Sequence, residues 1–281
     1  MTTHTTPLRL ENLSVTLPQA AGGRVVLSDL SLELRAGEVL GIVGESGSGK
    51  TTLGLACLGL LPQGFSVAGD VYIHGTTLRS VAPGQRYRLR GRVLGYVPQE
   101  PMKALNPGMS IAAHVAEGLP ATLTRAERAE RAARWLAAVG LADGLSVQKL
   151  YPHALSGGQR QRVLLAAALA AEPDVLIADE FTTALDPATR ELVVSLIREQ
   201  VQVRGMSVVM ISHDLELVAR ATDRLLVLRH GVCVEHGETK AVIAQPSSPY
   251  LQSLLALSLH FTPRAPLSLF PRAMMEEALN D

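Results

Sequence analysis

Cysteine is scarce in this chain, with only Cys57 and Cys233 among 281 residues. Two cysteines exclude a disulfide framework, a cysteine-rich metal site and an iron–sulfur cluster held by cysteines. We interpret both residues as reduced thiols that pack like small apolar side chains.

The chain also has no excess of positive or negative charge, and it contains few aromatic residues. The 26 basic residues balance 26 acidic ones, and aromatic residues make up only 4% of the chain. Because no basic patch with interleaved aromatics is present, we expect no nucleic-acid partner. The 47% of hydrophobic residues nevertheless predict a globular protein with a substantial core.

Long apolar runs are absent too. The longest strictly apolar run is VLLAAALAA, residues 163–171, well short of the roughly 20 residues that span a bilayer. The first ten residues, MTTHTTPLRL, lack the apolar core of a signal peptide. We therefore expect a protein on the cytoplasmic side that meets a membrane only through partners.

A glycine-rich motif, GESGSGKT, follows the apolar run VLGIV and precedes an apolar helix-like segment. Glycines let the backbone wrap around phosphate oxygens, and a helix start directs its N–H groups toward the same anion. Lys50 is predicted to bridge the β- and γ-phosphates, and Thr51 to bind Mg²⁺. The residues predicted to contact the nucleotide here are Gly44, Glu45, Ser46, Gly47, Ser48, Gly49, Lys50, Thr51 and Thr52.

Alone, this P-loop indicates a nucleoside triphosphate and nothing narrower. A kinase, a GTPase, a helicase and a transport motor all carry it.

Two acidic residues end a second apolar run, PDVLIADE. Such a run suits a parallel strand buried on both faces, and catalytic groups belong where the strand leaves the sheet. Asp179 is predicted to hold Mg²⁺ through its water shell, and Glu180 to orient and deprotonate the attacking water. A third run, VVMISHD, places His213 where it can touch a γ-phosphate.

The segment LSGGQ, residues 155–159, narrows the class. Ser156 is a good helix N-cap, and Gly157 and Gly158 permit close approach to a phosphate. With the P-loop and the carboxylate strand, the chain resembles the ATP-binding cassette (ABC) ATPases, whose signature motif is LSGGQ. Gln159 completes the match, and the resemblance covers residues 8 to 258.

The resemblance implies further residue roles and the cofactors ATP and Mg²⁺. Gln99 looks like the family's Q-loop glutamine, which senses Mg²⁺ and the transmembrane partner. Residues 184–186 look like its D-loop, and His213 like its switch histidine. The signature residues of this family act on ATP held by a second subunit, so a second ATPase chain, identical or homologous, is implied.

The expected fold is an α/β P-loop NTPase with a mostly parallel core sheet, an antiparallel β subdomain and an inserted α-helical subdomain. We expect the cassette over residues 1–258, with the helical subdomain over about 99–165. Residues 259–281 are expected to form a short C-terminal extension.

Two local stretches, PQEPMKALNPGMSI and QPSSPYLQSLL, resemble the peptide and nickel importers of bacteria. The implied function is ATP hydrolysis that powers uptake of a peptide, nickel or metal–chelator substrate. The implied partners are two membrane permease subunits and an extracytoplasmic binding protein. The alternative is a soluble ABC ATPase that acts on nucleic acid or the ribosome; zero net charge and a single cassette weigh against it.

Two departures from the family pattern raise separate hypotheses. Phe181 stands where a proline usually follows the catalytic glutamate; it either fills a gap in the core or makes hydrolysis slower and more dependent on partners. No aromatic residue precedes Phe65 to stack on adenine, which leaves Leu17, Arg24 or Val25 to cover the base. We therefore expect weak discrimination between bases.

Overall fold

Ten strands form two sheets in the part of the chain that the computed structural model describes, residues 6–141 and 147–257. The strands are β1 (Leu8–Thr16), β2 (Val25–Leu34), β3 (Val39–Val43), β4 (Ser66–Ile73), β5 (Thr76–Thr77), β6 (Leu94–Val97), β7 (Val175–Asp179), β8 (Ser207–Ile211), β9 (Arg224–Arg229) and β10 (Val232–Glu238).

The larger sheet has the order β10-β9-β3-β8-β7-β6. All its neighbouring strands run parallel except β10, which pairs antiparallel with β9. Every residue of β3, β7 and β8 is buried, because helices cover both faces of a parallel sheet. These three strands are therefore almost wholly apolar in the sequence, and the exceptions are Ser207 at the start of β8 and Asp179 at the end of β7.

The smaller sheet has the order β2-β1-β4-β5 and is antiparallel throughout. Its strands alternate buried and more exposed residues, as in the pattern of β1, because only one face packs on the core.

Nine α-helices lie within the described residues. They are α1 (Lys50–Cys57), α2 (Pro101–Ala104), α3 (Ile111–Glu117), α4 (Arg125–Ala138), α5 (Gly157–Ala170), α6 (Pro187–Arg204), α7 (Leu215–Ala221), α8 (Thr239–Ala244) and α9 (Pro249–Leu257).

Sequence signals mark where several helices begin and end. Thr124 and Ser156 each form a capping box with the residue three positions on, Glu127 and Gln159, which satisfies free N–H groups at the helix start. Helix α6 begins after Asp186, which caps it, and ends at Gly205 in the left-handed conformation.

Helices α2–α5 lie between β6 and β7 in the chain and pack on one another. Their buried side chains, such as Val115, Leu136 and Val163, share one core cluster with Ala178 of β7. The predicted fold class is confirmed: the core sheet is mostly parallel, the second sheet is antiparallel, and a helical segment is inserted. The predicted extension, residues 259–281, lies outside the described residues.

Candidate active site

The predicted catalytic residues follow four neighbouring parallel strands. The P-loop follows β3, His213 follows β8, Glu180 follows β7 and Gln99 follows β6. Because the carboxyl ends of parallel strands meet at one edge of a sheet, all four segments lie along the same edge.

The P-loop lies so close to neighbouring segments that two of its glycines have no room for a side chain. A Cβ on Gly44 would lie 2.1 Å from the carbonyl oxygen of Leu228. Gly49 has φ 106°, and a Cβ there would lie 2.7 Å from Leu27. The loop therefore wraps tightly before α1 begins at Lys50.

Lys50 lies inside the loop. Its Nζ donates hydrogen bonds to the carbonyl oxygens of Gly44 at 2.7 Å and Glu45 at 2.8 Å, and the residue is only 7% exposed. Burial lowers the pKa of Lys50, and the nearby carboxylates of Glu180 and Asp179 oppose that shift. The ammonium group is thus held at the place where an anion would meet the loop.

Asp179 is buried, and neither of its carboxylate oxygens has a hydrogen bond of normal geometry within the described residues. Burial raises its pKa, the neighbouring Glu180 raises it further, and the Thr51 hydroxyl and Lys50 lower it. A buried carboxylate without partners is costly unless a cation or water meets it. Asp179 and Thr51 therefore offer a fitting pair of oxygen groups for Mg²⁺, which prefers few protein ligands.

Two further observations agree with a site completed by a ligand. The hydroxyl of Ser48 in the P-loop is also buried without a partner among the described residues. Across the same part of the chain, no group of three or more His, Cys, Asp or Glu residues could hold a metal ion alone. Phosphate oxygens and water would have to supply the remaining ligands of a cation beside Asp179.

Glu180 and His213 meet across two strands. His213 Nδ1 lies 2.6 Å from Glu180 Oε2, and Glu180 is buried while the His213 side chain is 63% exposed. Glu180 has φ 49°, which is uncommon for a residue other than glycine. Its N–H donates to the Ile211 carbonyl at 2.9 Å, and the Thr183 hydroxyl donates to its carbonyl at 2.9 Å. These contacts fix the carboxylate beside the histidine.

Phe181 points into the core. It is 1% exposed and belongs to the cluster that joins β7 to the inserted helices. Of the two hypotheses for this residue, its burial favours the core-filling role.

Gln99 is exposed, and the residue before it is attached to the signature helix. Gln161 of α5 is 3% exposed, and its Nε2 donates to the Pro98 carbonyl at 3.2 Å. This link, which no sequence motif predicted, connects the predicted Q-loop to the helix that begins at the signature motif.

The signature residues cap α5 and pack on the D-loop of the same chain. Ser156 is exposed, and its hydroxyl accepts from Gln159 N at 3.2 Å. A Cβ on Gly158 would lie 2.7 Å from the Ala184 carbonyl, whereas one on Gly157 would come no closer than 4.0 Å. Glycine is therefore required at position 158 because the backbone packs closely on the D-loop, whereas position 157 has room for a side chain.

No hydrogen bond or ion pair joins residues 156–159 to residues 44–52 within the described chain. The D-loop residue Asp186 instead caps α6 by accepting from Thr189 N at 3.0 Å and its hydroxyl at 2.7 Å. The hydrogen bonds from Thr189 lower the pKa of Asp186. In α6, Arg190 donates to Asp214 at 2.7 Å, next to His213, so the D-loop helix is attached to the histidine loop.

The residues expected to cover the base lie at the turn between β1 and β2. Leu17 N donates to the Arg24 carbonyl at 2.9 Å, and Val25 is 53% exposed. The Val26 carbonyl passes within 3.1 Å of the Cβ position of Gly49, so this turn borders the P-loop. Weak base discrimination stays a prediction, which the hydrolysis rates with GTP and CTP relative to ATP would test.

Four features together define an ABC-type nucleotide-binding cassette. They are the P-loop, the buried strand that ends in Asp179 and leads into Glu180, the histidine that follows the adjoining strand, and the helix that begins at the signature motif. None of the helices in the described residues is long and apolar enough to cross a bilayer.

Comparison with known proteins gives the family. The ABC transporter family model matches residues 27–183, more than half of the chain. The oligopeptide transport ATP-binding protein OppD of Escherichia coli K12 is 38% identical over 250 residues, which are 88% of this chain and 74% of that protein. The dipeptide transport ATP-binding protein DppD of the same organism is 37% identical over 251 residues, with 88% and 77% covered.

Solved structures of ATP-binding cassettes share this fold. The dimeric ATP-binding cassette MJ0796, in a post-hydrolysis state with ADP and Pi, superposes with a TM-score of 0.74 at 28% identity, covering 83% of this chain and 98% of that one. The chain therefore belongs to the ATP-binding proteins of ABC transporters, a family of ATPases, and its nucleotide is ATP.

Proposed function

We propose that this chain is the ATP-hydrolysing subunit of a bacterial importer and powers uptake of a peptide through partner membrane subunits. The observation that carries the proposal is the arrangement of Glu180, His213 and the buried Asp179 beside a complete P-loop. The substrate class is supported by the 38% identity to an oligopeptide transport protein over most of both chains.

In this proposal each site residue has one task. The P-loop and Lys50 hold the phosphates of ATP, while Thr51, Asp179 and the exposed Gln99 hold Mg²⁺ and its water shell. Mg²⁺, when bound, neutralises charge on the β- and γ-phosphates. Glu180 accepts the proton of the attacking water, and His213, fixed 2.6 Å away, orients that carboxylate and contacts the γ-phosphate.

A second cassette completes the site. Ser156 and Gly157 are exposed on this chain, so their side of the signature helix is available to ATP on a partner. The partner ATPase, identical or homologous, presents its own signature to this P-loop. The relative MJ0796 is dimeric in its post-hydrolysis state, which supports this arrangement.

The permease is proposed to dock beside the predicted Q-loop. A cavity of about 340 Å³ opens between the end of α1, the edge strand β6 and the helices α3 and α5. Its lining includes Leu60, Arg90, Tyr96 and Ala168. Met102, three residues after Gln99, is 60% exposed. An apolar element from a membrane subunit fits such a surface, which would place the chain at the cytoplasmic face of the inner membrane.

The test is to co-purify the chain with the permease and binding-protein products of its neighbouring genes. ATPase activity in proteoliposomes should rise when the binding protein carries a peptide. Stimulation by a nickel or metal–chelator complex in place of peptides would overturn the substrate class. Stimulation by nucleic acid or ribosomes, without permease, would overturn the transport function.

A further inference from the structure

The last described helix, α9, reaches the P-loop through Tyr250, which has no part in the chemistry set out above. The backbone N–H of Glu45 donates to the Tyr250 hydroxyl at 2.9 Å, across 205 positions of sequence. Tyr250 is 7% exposed, and the Arg229 guanidinium lies 4.9 Å from its ring centroid. Burial raises the pKa of Tyr250, so the hydroxyl keeps its proton at neutral pH.

This contact acts on the same peptide unit that holds Lys50. The peptide between Gly44 and Glu45 gives its N–H to Tyr250, and its carbonyl accepts from Lys50 Nζ at 2.7 Å. Because a peptide unit is planar, a hydrogen bond on the N–H also sets the direction of the carbonyl. Rotation of this plane would break both contacts and leave the ammonium group with only the Glu45 carbonyl of its two acceptors.

Tyr250 lies on helix α9, which is fixed to the rest of the domain by hydrogen bonds and by packing. The Glu235 carboxylate of β10 accepts from Ser247 N at 2.8 Å and Ser248 N at 2.9 Å, just before α9 begins. Leu251 is fully buried in a cluster that contains Val43, the residue before Gly44. The hydroxyl is therefore fixed relative to the strand from which the P-loop starts.

We propose that Tyr250 is a positioning residue of the nucleotide site, whose hydroxyl holds the Gly44–Glu45 peptide so that the P-loop and Lys50 are arranged before ATP binds. The inference rests on the proposed role of Lys50 as a phosphate ligand. A loop that is already ordered loses less conformational freedom on binding. Loss of the hydroxyl should therefore weaken ATP binding and leave the chemical step nearly unchanged.

Tyr250→Phe in the full chain is the direct test, since it keeps the ring and its contact with Arg229. The Kd of a fluorescent ATP analogue and the KM for ATP should rise about three- to tenfold, the size of one neutral hydrogen bond. The kcat should stay within about twofold, because bound phosphates then order the loop. Tyr72→Phe removes the same atom from β4 of the smaller sheet and should leave Kd, KM and kcat at their original values.

A double-mutant cycle with Lys50→Met shows whether Tyr250 acts through the lysine. In the Lys50→Met background, Tyr250→Phe should change the Kd far less than it does alone. An unchanged Kd for Tyr250→Phe, a lowered kcat at unchanged KM, or fully additive effects would each overturn the proposal. A Lys50→Met chain that binds the analogue as well as the original chain would instead overturn the nucleotide-site assignment.

Discussion

Glu180 is the residue on which hydrolysis depends in the proposed mechanism. It is buried, its φ is 49°, and His213 lies 2.6 Å from its carboxylate. The surrounding backbone contacts hold this carboxylate whether or not it carries charge, so an amide should occupy the same position. Binding and catalysis can therefore be separated at this one side chain.

Glu180→Gln should leave ATP binding intact while hydrolysis falls by about 10²-fold or more, because the amide cannot accept a proton from water. Nucleotide titration and steady-state phosphate release measure the two effects. Glu130→Gln, at an exposed position of α4, is the matched control and should behave like the original chain. Hydrolysis within a few-fold of the original rate would remove Glu180 from the mechanism.

Phe181 belongs to the core more than to the chemistry. Since it is 1% exposed among the inserted helices and β7, Phe181→Pro should cost about 3 kcal/mol or more of the free energy of unfolding through the cavity it leaves. Thermal or denaturant unfolding measures this loss, and Phe181→Leu should cost less. Turnover per folded molecule should not rise in either variant. Faster turnover with unchanged stability would support the alternative, in which Phe181 slows hydrolysis.

Among the elements, α5 connects more of the site than any single strand. It starts at the exposed signature residues, packs Gly158 on the D-loop and holds the predicted Q-loop through Gln161. A movement of this helix would therefore change the positions of both the D-loop and the predicted Q-loop. The two signature glycines differ sharply in their surroundings, which gives a matched pair of variants.

Gly158→Ala should lower the melting temperature, since its Cβ would lie 2.7 Å from the Ala184 carbonyl oxygen. This oxygen belongs to the backbone, so relieving the clash would require a displacement of the chain. Gly157→Ala should leave it unchanged or raise it slightly, because the space is open and alanine favours a helix by up to about 1 kcal/mol over glycine. Differential scanning calorimetry of both variants tests the contrast. Equal melting temperatures would contradict the packing described for the signature.

Local sequence signals predicted several of the strands and helices around the site and missed the contacts between them. Apolar runs of four or five residues predicted β3, β7 and β8, since parallel strands buried on both faces have no solvent-exposed polar face. Ser156, as an N-cap residue, predicted the start of α5. The contacts of Tyr250 with Glu45 and of Gln161 with Pro98 could not be predicted, because they join segments far apart in the chain. Pro249 and Tyr250 stand in a stretch that resembles the bacterial peptide and nickel importers, and this resemblance predicted no role for either residue.

In the proposed arrangement of the whole molecule, one chain supplies half of each of two sites that a second cassette completes. The P-loop lies at the carboxyl end of β3, and no hydrogen bond or ion pair joins it to the exposed signature residues within the described part of the chain. ATP bound at the P-loop of one subunit would join it to the signature of another, and hydrolysis would separate them. Association of subunits should therefore depend on ATP.

ATP should drive dimerisation of the Glu180→Gln chain, alone or with its partner ATPase, because the nucleotide is bound but not consumed. Sedimentation velocity with and without ATP and Mg²⁺ measures this, and removal of Mg²⁺ by a chelator should return the monomer. Glu180→Gln combined with Ser156→Arg should stay monomeric, since a bulky charge would occupy the exposed signature side. A monomer under every condition would contradict the composite site.

Coupling of hydrolysis to uptake can be measured as peptide transport across the membrane of proteoliposomes that contain the complete transporter. The cassettes should face outward with ATP, and the binding protein and labelled peptide should be inside the vesicles. Peptide should then leave the lumen toward the ATP side only when ATP and Mg²⁺ are present, and Glu180→Gln should abolish the movement. Peptide movement that is independent of ATP, or unaffected by Glu180→Gln, would contradict the proposal.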